Sequence, residues 1–87
     1  MDQTRRHGKS SQLEDFLKAK VIKRSVSLAG HMTSVSLEEP FWEHLNRIAA
    51  EEKIPVSTLI LRIDEKRQTN LSSALRLFVL YSLSATK

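Results

Sequence analysis

The chain has 87 residues, 14 of them Lys or Arg and 10 Asp or Glu, a formal net charge of +4, and no cysteine. That length makes one small domain, with no room for a separate catalytic domain. Without cysteine, disulfides and thiolate chemistry are excluded; no apolar run approaches a membrane span and the N-terminus lacks a signal-peptide stretch, so a cytoplasmic protein is expected.

The charge is unevenly placed. Residues 1–24 carry Arg5, Arg6, Lys9, Lys18, Lys20, Lys23 and Arg24 against Asp2, Glu14 and Asp15, whereas residues 25–87 carry seven charges of each sign. All of the +4 therefore sits in the first quarter of the chain. A basic arm, residues 1–20, on a neutral body, residues 21–87, is a common layout for gripping phosphates, and Arg5, Arg6, Lys23 and Arg24 are the candidate contacts. A solubilising tail has the same composition. Residues 1–12 are polar and without periodicity, which predicts disorder. Leu13, Phe16 and Leu17 then fall at helical spacing behind Ser11, enough for one or two marginal turns.

From Val21 to Leu28 the chain alternates, with Val26 and Leu28 on one side and Ser25 and Ser27 on the other. Ala29-Gly30-His31 follows, where Gly30 is free to take a positive φ. Thr33 to Leu37 alternates again: Thr33, Val35 and Leu37 point one way, Ser34 and Ser36 the other. Two arrangements stay open. Segment 24–28 is either free or folded back on 33–37 as a hairpin, and a dimer of hairpins would hold four strands.

A helix start comes next. Glu38 and Glu39 suit the positive end of a helix dipole, Pro40 suits a first turn, and Phe41, Leu45, Ile48 and Ala49 make an apolar face of a helix over roughly Glu39 to Lys53. Trp42 lies at the edge of that face, as core or as an exposed recognition aromatic. A second helix begins at Pro55, with Val56, Leu59, Ile60 and Ile63 on its face. After a polar break over 64–69, Asn70 caps a third helix whose face holds Leu71, Ala74, Leu75, Phe78, Val79 and Leu83. Leu77, Leu80 and Tyr81 widen it almost all round, so burial against a partner chain or between dimers is expected. One strand with two bare edges and two helices do not close a core, so the unit is expected to need a second copy.

Strand, helix, helix in that order resembles the ribbon-helix-helix family of DNA-binding proteins, and within it a group of short bacterial domains. The resemblance rests on Lys23-Arg24-Ser25-Val26, Ala29-Gly30-His31, Thr33-Ser34-Val35-Ser36-Leu37-Glu38, Phe41-Trp42 and Asn70-Leu71-Ser72-Ser73-Ala74-Leu75-Arg76, over about residues 22–83. It implies a mostly α fold with a short β ribbon, an intertwined homodimer carrying an additional C-terminal helix. In that family the strands of two chains pair antiparallel and enter the major groove. The family's pattern makes Met32, Ser34 and Ser36 the base-facing residues, where relatives often have a basic residue in place of Met32. It places Val56 and Ser57 at a helix N-terminus that holds a phosphate by main-chain N–H groups. Lys53 stands where the family usually has Gly, and Pro55 where it has Ser or Thr. The dimer core implied is Val35, Leu37, Phe41, Trp42, Leu45, Ile48, Leu59, Ile60 and Ile63.

No other chemistry emerges. His7, His31 and His44 form no ligand pattern, no serine sits in a nucleophile motif, and no metal, cofactor, small-molecule ligand or catalytic residue is expected. The expected function is a sequence-specific transcriptional regulator, a nucleoid-associated bacterial repressor that binds double-stranded DNA as a homodimer, with a tetramer through the third helix as a further option. The rival is a homo-oligomeric interaction module with a four-stranded dimer sheet that does not touch DNA. In that reading Ser34 and Ser36 are only the wet face of a sheet. Residues 24–28 separate the two, because a free segment favours DNA and a permanent hairpin favours the module. Four strands span about 14 Å between outer backbones, against a major groove of about 12 Å.

Overall fold

A computed structural model describes residues 12–85. After a short helical segment at residues 12–17, the elements are β1 (Val21–Leu28), β2 (His31–Glu38), α1 (Glu39–Glu51), α2 (Val56–Lys66) and α3 (Leu71–Ala85). Residues 1–11, with Arg5, Arg6 and the cap Ser11, lie outside the described residues. The strands pair antiparallel from Val21 opposite Glu38 to Leu28 opposite His31. Segment 24–28 is thus the partner of 33–37 within one chain, which decides the open choice for the hairpin and corrects the expectation of one strand with two bare edges.

The reason is the loop. Only Ala29 and Gly30 separate the strands, at φ 52° and 85°. Two central residues at positive φ are what a type I′ turn needs, and its twist matches that of the strands it joins. Gly30 adopts this conformation freely, whereas Ala29 does so at a cost of about 1–2 kcal/mol.

One hairpin face lies on the helices. Val26, Leu28, Val35 and Leu37 are buried there with Trp42, Leu45, Ala49, Leu59, Ile60, Leu75 and Val79, and Ile22, Phe41, Ile48 and Ile63 pack at the margin. No polar side chain among the described residues is buried. The residues expected in a dimer core therefore make a core inside one chain. The hairpin and α3 supply the layers that a lone strand and two helices lack. Burying Val26 and Leu28 contributes about 1.5–3 kcal/mol each, so β1 is fixed to the body and not merely hydrogen-bonded to β2.

The connections follow from local chemistry. Pro40 occupies the first turn of α1 without needing a donor. At its other end, Ile54 N–H donates to Ala49 O and Lys53 N–H to Ala50 O, with Lys53 at φ 60°. That is a Schellman closure, and the left-handed position explains why glycine suits residue 53 in the family pattern. Pro55 precedes α2 as its cap residue instead of opening the helix, and its carbonyl accepts the N–H groups of Thr58 and Leu59. Asn70 caps α3 as expected, its Oδ1 accepting from Ser73 N–H at 2.9 Å.

Candidate nucleic-acid interface

The face of the hairpin turned away from the helices is built by alternation. Residues directly opposite across an antiparallel pair share a face, so Lys23 with Ser36, Ser25 with Ser34 and Ser27 with Met32 form one outer strip. Lys23, Ser25, Ser27, Met32 and Ser34 are exposed and Ser36 is half-buried. The strip brings together the three residues expected to face bases and adds three from β1. Ser25 and Ser27 were readable in the sequence as outward serines, but their place beside Ser34 and Met32 needed the register. The signal was the near-repeat of Arg24-Ser25-Val26-Ser27-Leu28 in Thr33-Ser34-Val35-Ser36-Leu37. Across a two-residue turn, that repeat sets Ser25 opposite Ser34 and puts the other two serines, Ser27 and Ser36, on the same face opposite Met32 and Lys23.

The ladder phase fixes which backbone groups remain outside. Glu39 N–H donates to Lys20 O at 3.0 Å, so residues 20 and 39 are a hydrogen-bonded pair. Alternation then makes 22/37, 24/35, 26/33 and 28/31 hydrogen-bonded pairs as well, and directs the main-chain groups of Met32, Ser34, Ser36 and Glu38 to the open edge of β2. Ser36 shows this directly: its carbonyl accepts the Ser72 hydroxyl at 3.3 Å, from the first turn of α3. One turn further on, Arg76 holds Glu38 Oε1 through Nε and Nη2, both at 3.0 Å. The Glu38 carboxyl is held below the usual 4.5, first by its own backbone N–H and then by Arg76. Neither Ser72 nor Arg76 was singled out from the sequence as a partner of β2, because a contact 36 to 38 residues away leaves no local pattern.

Other expected contacts are dispersed. Lys23 lies on the outer strip, but Arg24 takes the opposite face, 5.5 Å from the centre of the Trp42 ring. Trp42 is buried and donates its indole N–H to Ile22 O at 2.9 Å, so it is a core residue and not a recognition aromatic. Val56 and Ser57 open α2, which has no side-chain cap, and neither N–H has a partner among the described residues. His31 and His44 do not join a group of possible metal ligands, and no such group of three occurs among the described residues. No described helix is long and apolar enough to cross a membrane.

A family model described as a ribbon-helix-helix domain matches residues 21–83. An uncharacterized protein from Bordetella pertussis Tohama I has a similar structure at 34% sequence identity and a TM-score of 0.64. The match covers 83% of this chain and 67% of that one. No curated protein matches.

Proposed function

The chain belongs to the ribbon-helix-helix family, and from that membership we propose that it is a sequence-specific DNA-binding regulator, non-enzymatic and dimeric, that presents the outer strip of its ribbon to the major groove. The family is typically one of DNA-binding regulators that bind as dimers. The observation that carries the reading is the row of exposed Met32 and Ser34 and half-buried Ser36 on the one hairpin face that is turned away from the helices. Serine hydroxyls bond several base edges, Met32 offers apolar contact to a thymine methyl, and Lys23 stands beside them for a phosphate.

The test is a salt titration on a selected operator and on random duplex. Deleting residues 1–11, with Arg5, Arg6 and Lys9, should weaken binding to both duplexes alike and flatten the log–log salt slope by about 0.9 per lost phosphate contact. Ser34→Ala with Ser36→Ala should leave the slope nearly unchanged and lower site preference by roughly 1–3 kcal/mol per lost base contact. Full site preference in the serine variant rejects the ribbon as reader.

The interaction-module reading is favoured by one specific observation, the hairpin itself, which gives β2 a partner without a second chain. Absence of salt-dependent duplex affinity in the intact protein decides for it.

A further inference from the structure

We infer that residues 12–17 are an exchange arm: in a dimer, the helical segment of each chain seats Leu13, Phe16 and Leu17 in an apolar groove between α1 and α3 of the other. The inference is independent of what the ribbon reads.

Both the segment and the groove are uncovered in the single chain. Leu13, Phe16 and Leu17 share one face at helical spacing and are 57%, 64% and 76% exposed. The groove holds about 460 Å³ between Pro40, Phe41 and His44 of α1 and Val79 and Leu83 of α3. Its polar groups are already engaged: Arg76 holds the Glu38 carboxylate, and His44 Nδ1 accepts from Arg47. A small-molecule site needs convergent polar groups free to orient a ligand. This groove offers apolar wall instead, which suits the apolar side chains of a protein segment.

The chain's own segment stays at the rim. Phe16 and Leu17 border the groove, and only Lys18, Ala19 and Lys20 join them to β1. That connection is tied at both ends. Lys18 N–H donates to Asp15 O at 3.2 Å and Ala19 N–H to Phe16 O at 3.1 Å, while Lys20 O accepts from Glu39 N–H at 3.0 Å. Turning the segment down into its own groove would break these bonds, whereas the segment of a second copy enters without breaking any. Members of the family generally bind DNA as dimers, so a second copy is the occupant at hand. The exchange is closed, because each chain gives one segment and receives one.

Charge sets the direction. Glu14 and Lys18 lie four residues apart beside the apolar face of the segment. Arg47 and Glu51 lie four apart on α1, in a depression that shares His44 and Leu83 with the groove. Laid parallel to α1, the incoming segment sets Glu14 against Arg47 and Lys18 against Glu51. Such exposed pairs add little affinity and serve to fix the register. Leu80, exposed three residues before Leu83, carries the apolar surface on from the groove to the open flank of α3.

The chain has no cysteine, so introduced thiols report the contact without background. Full-length Leu13→Cys and His44→Cys chains, one of them isotopically labelled, are mixed, oxidised and resolved by non-reducing electrophoresis and mass spectrometry. The mixed disulfide should exceed either homodisulfide by about tenfold. A chain carrying both Leu13→Cys and His44→Cys should form covalent dimers. A disulfide within one chain of that double variant shows the segment closing on its own groove and overturns the inference. A statistical mixture of disulfides in the first experiment, or none, means that something else covers the groove and overturns it as well. Phe16→Ser with Leu17→Ser should weaken self-association by about tenfold or more in sedimentation equilibrium, with an unchanged circular dichroism spectrum. Unaltered association in that variant rejects the exchange.

Discussion

The hairpin and α3 carry similar numbers of apolar residues and dispose of them differently. In the hairpin the division is nearly complete: Val26, Leu28, Val35 and Leu37 go inward, the serines between them go outward, and of the large apolar side chains only Val21 and Met32 face out. In α3 it is not. Leu75 and Val79 are buried, but Leu77, Leu80 and Tyr81 on the same helix are 59%, 60% and 69% exposed. A strand alternating at period two can send most of its apolar residues to one side, and one body covers that side. A helix apolar nearly all round has only one side to give to its own chain. Its surplus is where we expect a second contact.

The largest effect expected from this contrast is on stability. Leu45→Ala or Ile60→Ala removes a side chain with no exposed surface from beneath the hairpin, and should cost about 2–5 kcal/mol in urea unfolding. Leu80→Ala should cost less than about 0.5 kcal/mol in the same assay run dilute enough to keep the chain monomeric, since in the single chain water already reaches that side chain. Equal losses at Leu45 and Leu80 would show that α3 is packed on both sides and that the contrast is false.

A smaller effect should appear in association. Leu77, Leu80 and Tyr81 recur at three and four residues along one flank of α3, and Leu77 and Tyr81 line a shallow apolar groove with Ile63 and Phe78. Family members generally bind DNA as dimers, and α3 engages the β2 edge, so this flank is where we expect the second copy. Leu77→Ser or Leu80→Ser should weaken self-association by about tenfold each in sedimentation equilibrium, with the fold of the single chain unchanged by circular dichroism. Unaltered association in both variants moves the dimer contact elsewhere, with the outer edge of β1 the next surface to examine.

What the sequence disclosed and what it withheld divide along the same lines. Period two in residues 24–28 and 33–37, Pro40 at the first turn of α1 and Asn70 before α3 each leave a local mark, and each element stands where its mark placed it. The outward positions of Ser34 and Ser36 followed from the same period, and that of Met32 from the family resemblance. Pairing did not. Ala29-Gly30 permits a tight turn, but the choice between a hairpin and a free segment depends on what Val26 and Leu28 find to pack against. The helix that covers them brings Leu59 and Ile60 into the same core, thirty or more residues away. The residues expected in a dimer core lie in or against a core within one chain, which the sequence did not disclose for the same reason. An apolar face announces that it will be buried, not by which chain.

The smallest effect is at the joint between the two regions. Glu38 ends β2, and Arg76 of α3 holds its carboxylate, while Ser72 holds the neighbouring Ser36 carbonyl. Because the folded carboxyl titrates below 4.5, the charged form is favoured by folding. Its contribution is present in full above the unfolded value and is lost as pH falls through the lower, folded value. Glu38→Gln should therefore be less stable than the parent at neutral pH, by an amount that stays constant down to about pH 4.5 and shrinks below it. The amount is small, because both side chains are about a third exposed and solvent and salt screen the pair. Arg76→Ala should reproduce only part of it, since the backbone N–H of Glu38, the first cause of the shift, remains. Urea unfolding of the three proteins from about pH 7 to about pH 3 makes the comparison. A difference between parent and Glu38→Gln that persists undiminished at the acid end would mean that the joint does not depend on the carboxylate's charge. The hold of α3 on the ribbon edge would then rest on Ser72 and on apolar packing.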